Sequence, residues 1–321
     1  MHSKTQDWVA YNKAQTQEKL LFMKLLEELA LVASTSEPAQ KRVGRPSLCR
    51  KDMIFSMCLS IYSGKSARRA NSELEIAKKL NMISHKPHHN SVLNYFSDAK
   101  LTPILKELIV RSSLPLKIVE RDFTVDSSGF ATSQFGEWRS AKWQTKERKQ
   151  WVKAHVMSGV KTNIITSIEI TRGHVADVVM FEPLVNQTGE NFRMFEISAD
   201  KAYLSRKNLE LVNSYKAVPF IPFKKNNRGN ASGSQVWARM FKYFWLKEAE
   251  FMEHYHKRSN AETVFAMMKR KFNSRVRSRN FVGQTNELLC MAICHNICVL
   301  IQEMFELGIG INFCVNDEVA Q

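Results

Sequence analysis

Ile118-Val119-Glu120-Arg121-Asp122-Phe123-Thr124-Val125-Asp126-Ser127-Ser128-Gly129 is the stretch on which the fold turns. Its first eight residues read as a strand, and the carboxylate, two serines and glycine that follow read as the turn that ends it. Two more strand-like runs come next, Trp151 to Met157 and Ile164 to Ile170, with Lys161-Thr162-Asn163 as the turn between them. Val175 to Val185 has helical character despite Pro183. Phe192 to Ser198 reads as a buried strand ending at Asp200, Ser205 caps a helix to about Ser214, and Val218 to Phe223 is a last strand before long helices. Three adjacent strands, then helix, strand, helix, strand and helices is the α/β order of one mixed sheet with helices on its faces.

Upstream of residue 118 the periodicity is helical. Leu20, Leu21, Leu25, Leu26 and Leu29 form an apolar stripe. Residues 34–45 read as a linker, and Ser47 reads as the cap of a helix to Tyr62 stopped by Gly64. Further helices are expected from Ala67 to Leu80, ended by Asn81, and from Asn90 to Phe96, with Thr102-Pro103 opening another by the cap-then-proline rule. Arg68, Arg69, Lys78, Lys79, Lys86, His88 and His89 surround the short helices. This is compatible with a helix-turn-helix DNA reader and equally with a plain bundle. Gly44-Arg45-Pro46 fits a minor-groove arm or a solvated linker.

Bulk composition narrows the partners. The chain has 321 residues, 44% of them hydrophobic, with 47 Lys and Arg against 31 Asp and Glu, a net charge of +16. Such an excess favours a polyanion, because each neutralised phosphate releases counterions. An anionic membrane surface would attract the same charge. Six cysteines form no C-x-x-C pair, and Cys290, Cys294 and Cys298 repeat every four residues as a buried stripe; reduced thiols fit a cytoplasmic protein. The N-terminus lacks a signal-peptide core. The longest apolar run, Leu288 to Ile301, is interrupted by His295 and Asn296 and reads as a core helix, too short to span a bilayer. No membrane association is expected.

Carboxylates at the right places carry the chemistry. Asp126 ends the first strand and Asp200 follows the fourth. If those strands are neighbours, both project from one sheet edge and can share a divalent ion. A third comes from a helix read over residues 253–271, where Tyr255, Arg258, Glu262 and Lys269 fall on a stripe about 60° wide at 100° per residue. Between Tyr255 and Asn280 Glu262 is the one acid among eight cations: Lys257, Arg258, Lys269, Arg270, Lys271, Arg275, Arg277 and Arg279. A carboxylate in such a field stays ionised and suits a metal, while its neighbours suit phosphates. In Arg139 to Lys153, the cations Lys142, Lys146, Arg148, Lys149 and Lys153 interleave with Trp138, Trp143 and Trp151. That fits base stacking with backbone binding, or a hairpin with its tryptophans packed inward.

Tyr255-x2-Arg258-x3-Glu262-x6-Lys269 resembles the C-terminal signature of one large branch of bacterial insertion-sequence DDE transposases. Asp200-Lys201-Ala202-Tyr203 is similar to that branch's second motif, and Val125-Asp126-Ser127-Ser128-Gly129-Phe130 to its first. His174-Val175-Ala176-Asp177 and Asn296 extend the resemblance, which covers roughly residues 118–305. It implies a ribonuclease-H-like catalytic domain over 118–308; the residues themselves read as an all-helical domain over 1–117, helix-turn-helix-like and suited to DNA-end binding, and as a tail over 309–321. It implies that Asp126, Asp200 and Glu262 are both catalytic residues and ligands of two Mg2+ ions, for which Mn2+ can substitute. It also implies an endonuclease and strand-transfer activity on double-stranded DNA, namely transposon terminal inverted repeats and target DNA, by a cytoplasmic, nucleoid-associated homodimer. Tyr255, Arg258, Lys269, Arg270, Lys271, Arg275, Arg277, Lys142 and Lys149 are the expected DNA contacts. His155 and His174 are expected to be structural. The interval of 62 positions from Asp200 to Glu262 leaves no room for a large inserted domain, and Trp237 and Trp245 within it read as helix core. The alternatives are a catalytically retired DNA-binding relative and a nuclease on the same fold.

Overall fold

A computed structural model describes residues 7–33, 48–132 and 151–313. The linker at 34–45, the Ser47 cap, Lys142, Lys149, Trp138, Trp143 and Cys314 lie outside the described residues. The chain divides into two units: one runs up to Pro115 and takes in Lys271–Asn273 and the chain from Ser278 on, and the other comprises Leu116–Arg270 and Ser274–Arg277.

The first unit is helical. Asp7 caps α1 (Trp8–Val32) by accepting from the Val9 and Ala10 amides. The buried face of α1 is Phe22, Met23, Leu25, Leu26, Leu29 and Ala30, while Leu20 is exposed, so the apolar stripe lies slightly rotated from the expected one. α2 (Arg50–Tyr62) ends at Gly64, whose φ of +65° is the left-handed geometry that glycine adopts without a Cβ penalty. α3 (Asn71–Lys79) ends before Asn81, also left-handed at φ 58°. α4 (His89–Phe96) starts from the His88 ring, and α5 (Leu101–Ser113) begins one residue before Thr102. Thr102 is therefore not the cap. Its hydroxyl instead donates to Asn286 Oδ1 at 2.8 Å, a tertiary bond that outcompetes the local capping pattern.

The last helix of the chain, Phe281–Glu306, packs on α1, α2, α4 and α5, although the sequence reading grouped it with residues 118–308. It is longer than the expected run. Among the described residues it is the one helix long and apolar enough to cross a membrane, and 78% of its most apolar window is buried in the protein. Two of its buried asparagines are hydrogen-bonded in place, as burial demands. Asn286 Nδ2 donates to the Phe96 and Asp98 carbonyls, and Asn296 Nδ2 to Ser112 Oγ at 2.9 Å. Cys290 and Cys294 are buried and the Cys294 thiol donates to the Cys58 carbonyl; no disulfide forms among the described residues.

The second unit is built on a five-stranded mixed sheet in the order β3-β2-β1-β4-β5. β1 (Asp122–Ala131) runs antiparallel to β2 (Trp151–Gly159) and parallel to β4 (Glu196–Ala199). β3 (Ile165–Arg172) continues the meander and β5 (Val218–Phe220) joins β4 in parallel. The fold class read from the sequence holds: a ribonuclease-H-like α/β sheet with helices around it, and a helical N-terminal region. One expectation fails in an informative way. Asp126-Ser127-Ser128-Gly129 is no turn but mid-strand, because pairing with His155, Ala154 and Lys153 of β2 overrides the local turn propensity.

α6 (Asp177–Gly189) packs on β2 and β3, and α7 (Arg206–Ser214) on β5. The turn between β2 and β3 is closed by the buried Glu120 carboxylate, which accepts from the Thr162 amide, the Thr162 hydroxyl and the Lys161 amide. Gly159 lies against it, and a Cβ there would fall 2.2 Å from Glu120 Cδ. α8 (Gln235–Leu246) buries Trp237 as expected, but leaves Trp245 half exposed.

Candidate active site

The expected helix over 253–271 is broken. α9 (Glu248–Tyr255) gives way to a 3-10 turn, His256–Arg258, before α10 (Ser259–Lys271) starts. Ion pairs to the sheet accompany the break. Lys257 inserts its ammonium between Asp122 Oδ2 (2.7 Å) and Glu196 Oε2 (2.6 Å), at the first residues of β1 and β4. His254 Nδ1 also reaches Glu196 Oε2, at 2.9 Å, and its ring stacks on Phe220. These contacts fix the turn to the sheet. The basic neighbours hold the Glu196 carboxyl below the usual carboxylate range against the opposing effect of its burial. Lys257 was read from the sequence only as one cation among eight. Its adjacency to Arg258 was the available signal.

β1 and β4 are neighbours, the condition under which Asp126 and Asp200 come near each other. Val125 pairs with Ala199 across the parallel β1–β4 ladder, and each aspartate is the next residue of the chain. Asp126 Oδ1 accepts from the Ser127 amide at 2.9 Å. Asp200 Oδ1 caps the 3-10 turn Lys201–Tyr203 by accepting from the Ala202 amide at 2.9 Å. Burial raises the Asp126 carboxyl above its ordinary value, as do the charges of Glu262 and Asp200, against the Ser127 amide and Arg258. The buried Tyr203 hydroxyl is pushed up by burial and by the carboxylates of Asp177, Asp126 and Asp200.

Arg258 ties the third carboxylate to the first. Its Nη1 lies 3.1 Å from Asp126 Oδ2 and its Nη2 lies 2.6 Å from Glu262 Oε1. Tyr255 backs the guanidinium, with 5.9 Å from its carbon to the ring centre. In β1, Asp126 and Ser128 share a face by the two-residue period. Both meet the segment from Arg258 to Lys269, because Lys269 Nζ donates to Ser128 Oγ at 2.7 Å and lies 5.0 Å from the Phe130 ring. Burial lowers the Lys269 ammonium.

On the opposite face, His155 is fully buried between Thr171 Oγ1 (2.8 Å) and Asp177 Oδ1 (3.5 Å), and Lys153 Nζ holds Asp177 Oδ1 at 2.8 Å. Sequence reasoning marked Asp177 only by resemblance. His174 is exposed.

The remaining cations divide. Arg270, Arg275 and Arg277 are exposed. Lys271 belongs to the first unit, where it pairs with Glu18 and lies 5.8 Å from the Tyr62 ring.

Hard divalent ions take carboxylate oxygens, and two aspartates on adjacent strands plus a glutamate one guanidinium away form that kind of donor set. Among the described residues, no three His, Cys, Asp or Glu side chains are gathered closely enough to hold an ion together. Between Asp126 and Glu262 the neutralising charge comes from Arg258.

A five-stranded 3-2-1-4-5 sheet with one carboxylate just past the parallel β1–β4 ladder on each chain segment, and a third on a following helix, defines a ribonuclease-H-like fold. Residues 118–297 match the family model described as "Transposase DDE domain", more than half of the chain, and the chain belongs to the DDE transposase family. It is 25% identical over 279 residues to a protein of Archaeoglobus fulgidus named "Probable transposase for insertion sequence element ISA1214", covering 86% of this chain and 83% of that protein. No solved structure matches the chain.

Proposed function

We propose that this transposase cuts DNA at the ends of an insertion sequence and joins the freed 3′ ends to target DNA, with Asp126, Asp200 and Glu262 as its catalytic carboxylates. The observation that carries the reading is the Val125–Ala199 register, after which Asp126 and Asp200 each follow as the next residue past the parallel ladder. The family membership and the ordered Tyr255, Arg258, Glu262 and Lys269 signature support it.

Asp126, Asp200 and Glu262 would hold a pair of Mg2+ ions, with Mn2+ as a substitute. When bound, the ions supply Lewis-acid activation of the attacking oxygen and charge stabilisation at the leaving 3′ oxygen. The chain's own residues do the rest. Arg258 and Lys269 take the phosphates flanking the scissile bond, Arg258 by its planar fork and Lys269 as a point charge. Tyr255 orients Arg258. Arg270, Arg275 and Arg277 add sequence-independent backbone attraction, with Lys142, Lys149 and Lys271 as further expected contacts. The helical region up to residue 117 reads the transposon end. Pairing of two ends calls for a homodimer on DNA in the cytoplasm.

The test is incubation with Mg2+ and a DNA duplex carrying the inverted repeat that borders the gene. Nicked ends and joined products are expected. Cleavage without joining would assign a nuclease instead, and binding without either a retired DNA-binding relative. Asp126→Ala, Asp200→Ala and Glu262→Ala should each abolish cutting while DNA binding remains measurable. Normal cutting by Glu262→Ala would overturn the assignment.

A further inference from the structure

We propose that Arg258 is a latch that keeps the divalent-ion site closed until a DNA phosphate takes its guanidinium. The inference deepens the three-carboxylate reading above and rests on it. Its ground is the fork itself: one guanidinium bonds Asp126 Oδ2 at 3.1 Å and Glu262 Oε1 at 2.6 Å. Two of the three carboxylates that would bind the ion are thus paired to one cation tethered to the chain, which offsets half of their joint charge. Asp200 is not part of the fork, its Oδ1 being occupied by the Ala202 amide.

The surroundings let the guanidinium move while its backbone stays. Lys257, the preceding residue, is locked onto Asp122 and Glu196, and this anchors the 3-10 turn. The Arg258 side chain remains 20% exposed and Glu262 59% exposed, so the fork faces solvent on one side. A phosphate diester presents two anionic oxygens on one phosphorus, and the paired N–H donors of an Arg bind such a group bidentately, so it competes with the two carboxylates for the guanidinium. Transfer of the fork to DNA would leave Asp126 and Glu262 with uncompensated charge beside Asp200, the condition under which a divalent ion binds. Coupling of this kind is reciprocal: DNA tightens the ion and the ion tightens DNA by one factor. The free enzyme would then hold its metal weakly and be loaded only on its substrate.

The test measures Mn2+ binding by electron paramagnetic resonance to the full chain, with and without a short duplex of arbitrary sequence. It uses wild type, Arg258→Gln, Asp126→Asn and the Asp126→Asn/Arg258→Gln double variant. Ion bound by the DNA itself is subtracted using the double variant. If the latch is closed in about nine molecules of ten, Arg258→Gln without DNA binds Mn2+ roughly tenfold more tightly than wild type. Wild type should gain a comparable factor on adding DNA, and Arg258→Gln should not. Should Arg258→Gln fail to fold, Arg258→Lys makes the same comparison, keeping the charge but lacking the fork, with a smaller gain. Equal Mn2+ affinity of wild type and the Arg258 variants without DNA, with binding lost in Asp126→Asn, overturns the latch and leaves the carboxylate site standing. Binding that Asp126→Asn does not change in any arm overturns the site, and the latch with it.

Discussion

Asp126 and Asp200 each stand one residue beyond Val125 and Ala199, the last paired residues of the parallel β1–β4 ladder. Neighbouring strands lie about 4.8 Å apart, so this register sets the two backbones at adjacent-strand distance whatever their side chains do. Asp200 has a second duty, since its carboxylate caps the 3-10 turn that carries Tyr203.

The two duties separate by substitution. Asp200→Asn keeps an acceptor for the Ala202 amide and is expected to unfold within a few tenths of a kcal/mol of wild type, yet lose cleavage. Asp200→Ala should lose cleavage and also about 1 kcal/mol of stability, the usual cost of a missing cap. Denaturant unfolding read alongside end cleavage checks both. An active Asp200→Asn would show that the charge is not needed.

His155 makes stability depend on pH. Burial, with Lys153 adding and Asp177 opposing, brings its imidazole down to about 4 from 6.5. The folded ring is therefore neutral where the unfolded ring takes a proton, and stability falls as pH drops from 6.5 towards 4. The loss is on the order of 3 kcal/mol across that window, at about 1.4 kcal/mol per pH unit. His155→Gln should flatten this limb in thermal unfolding measured at stepped pH, although its plateau stability will be lower. An unchanged slope would mean that His155 titrates normally.

The succession of strands and helices along the second unit was legible because it rests on period and apolar runs, which local sequence records, although the helix expected over Val175 to Val185 runs from Asp177 to Gly189. What was not legible depends on partners distant in the chain. Asp126-Ser127-Ser128-Gly129 carries turn residues, and only pairing with β2 makes it strand. Thr102 looks like a cap until Asn286 claims its hydroxyl. The stripe from Tyr255 to Lys269 put the signature residues on one helix. Yet the ion pairs of Lys257 with Asp122 and Glu196 accompany a 3-10 turn that no periodicity announces. The Arg258 fork was hidden for the same reason: spacing shows that Arg258 and Glu262 are neighbours, but not that Asp126 shares the guanidinium.

Lys269 and Lys271, two residues apart, should behave differently. Lys269 bonds Ser128 beside Asp126, so Lys269→Ala is expected to weaken DNA binding equally for all sequences and to reduce the salt slope by about 1. Lys271 is engaged by Glu18, and Lys271→Ala should lower stability more than DNA affinity. Salt-titrated fluorescence anisotropy separates the two. Slopes of both variants equal to that of wild type would mean that neither cation reaches a phosphate.

Lys257 holds two part-buried carboxylates at the start of β1 and β4. Lys257→Met leaves Asp122 and Glu196 facing each other without their common cation, at an expected cost of about 1–3 kcal/mol. The loss should shrink in a Lys257→Met/Glu196→Gln double variant. If the double variant is destabilised by the simple sum of the single effects, the pair is not coupled in the way the geometry indicates.

The most direct measurement of the central claim is localised backbone cleavage by Fe2+ and peroxide, on the protein bound to a DNA duplex, with the cut positions mapped by mass spectrometry. An iron ion held in place of magnesium should cut the chain near Asp126, Asp200 and Glu262, and these cuts should disappear together in Asp126→Asn. Cuts near only one of these positions, or cuts that survive Asp126→Asn, would contradict a shared three-carboxylate site.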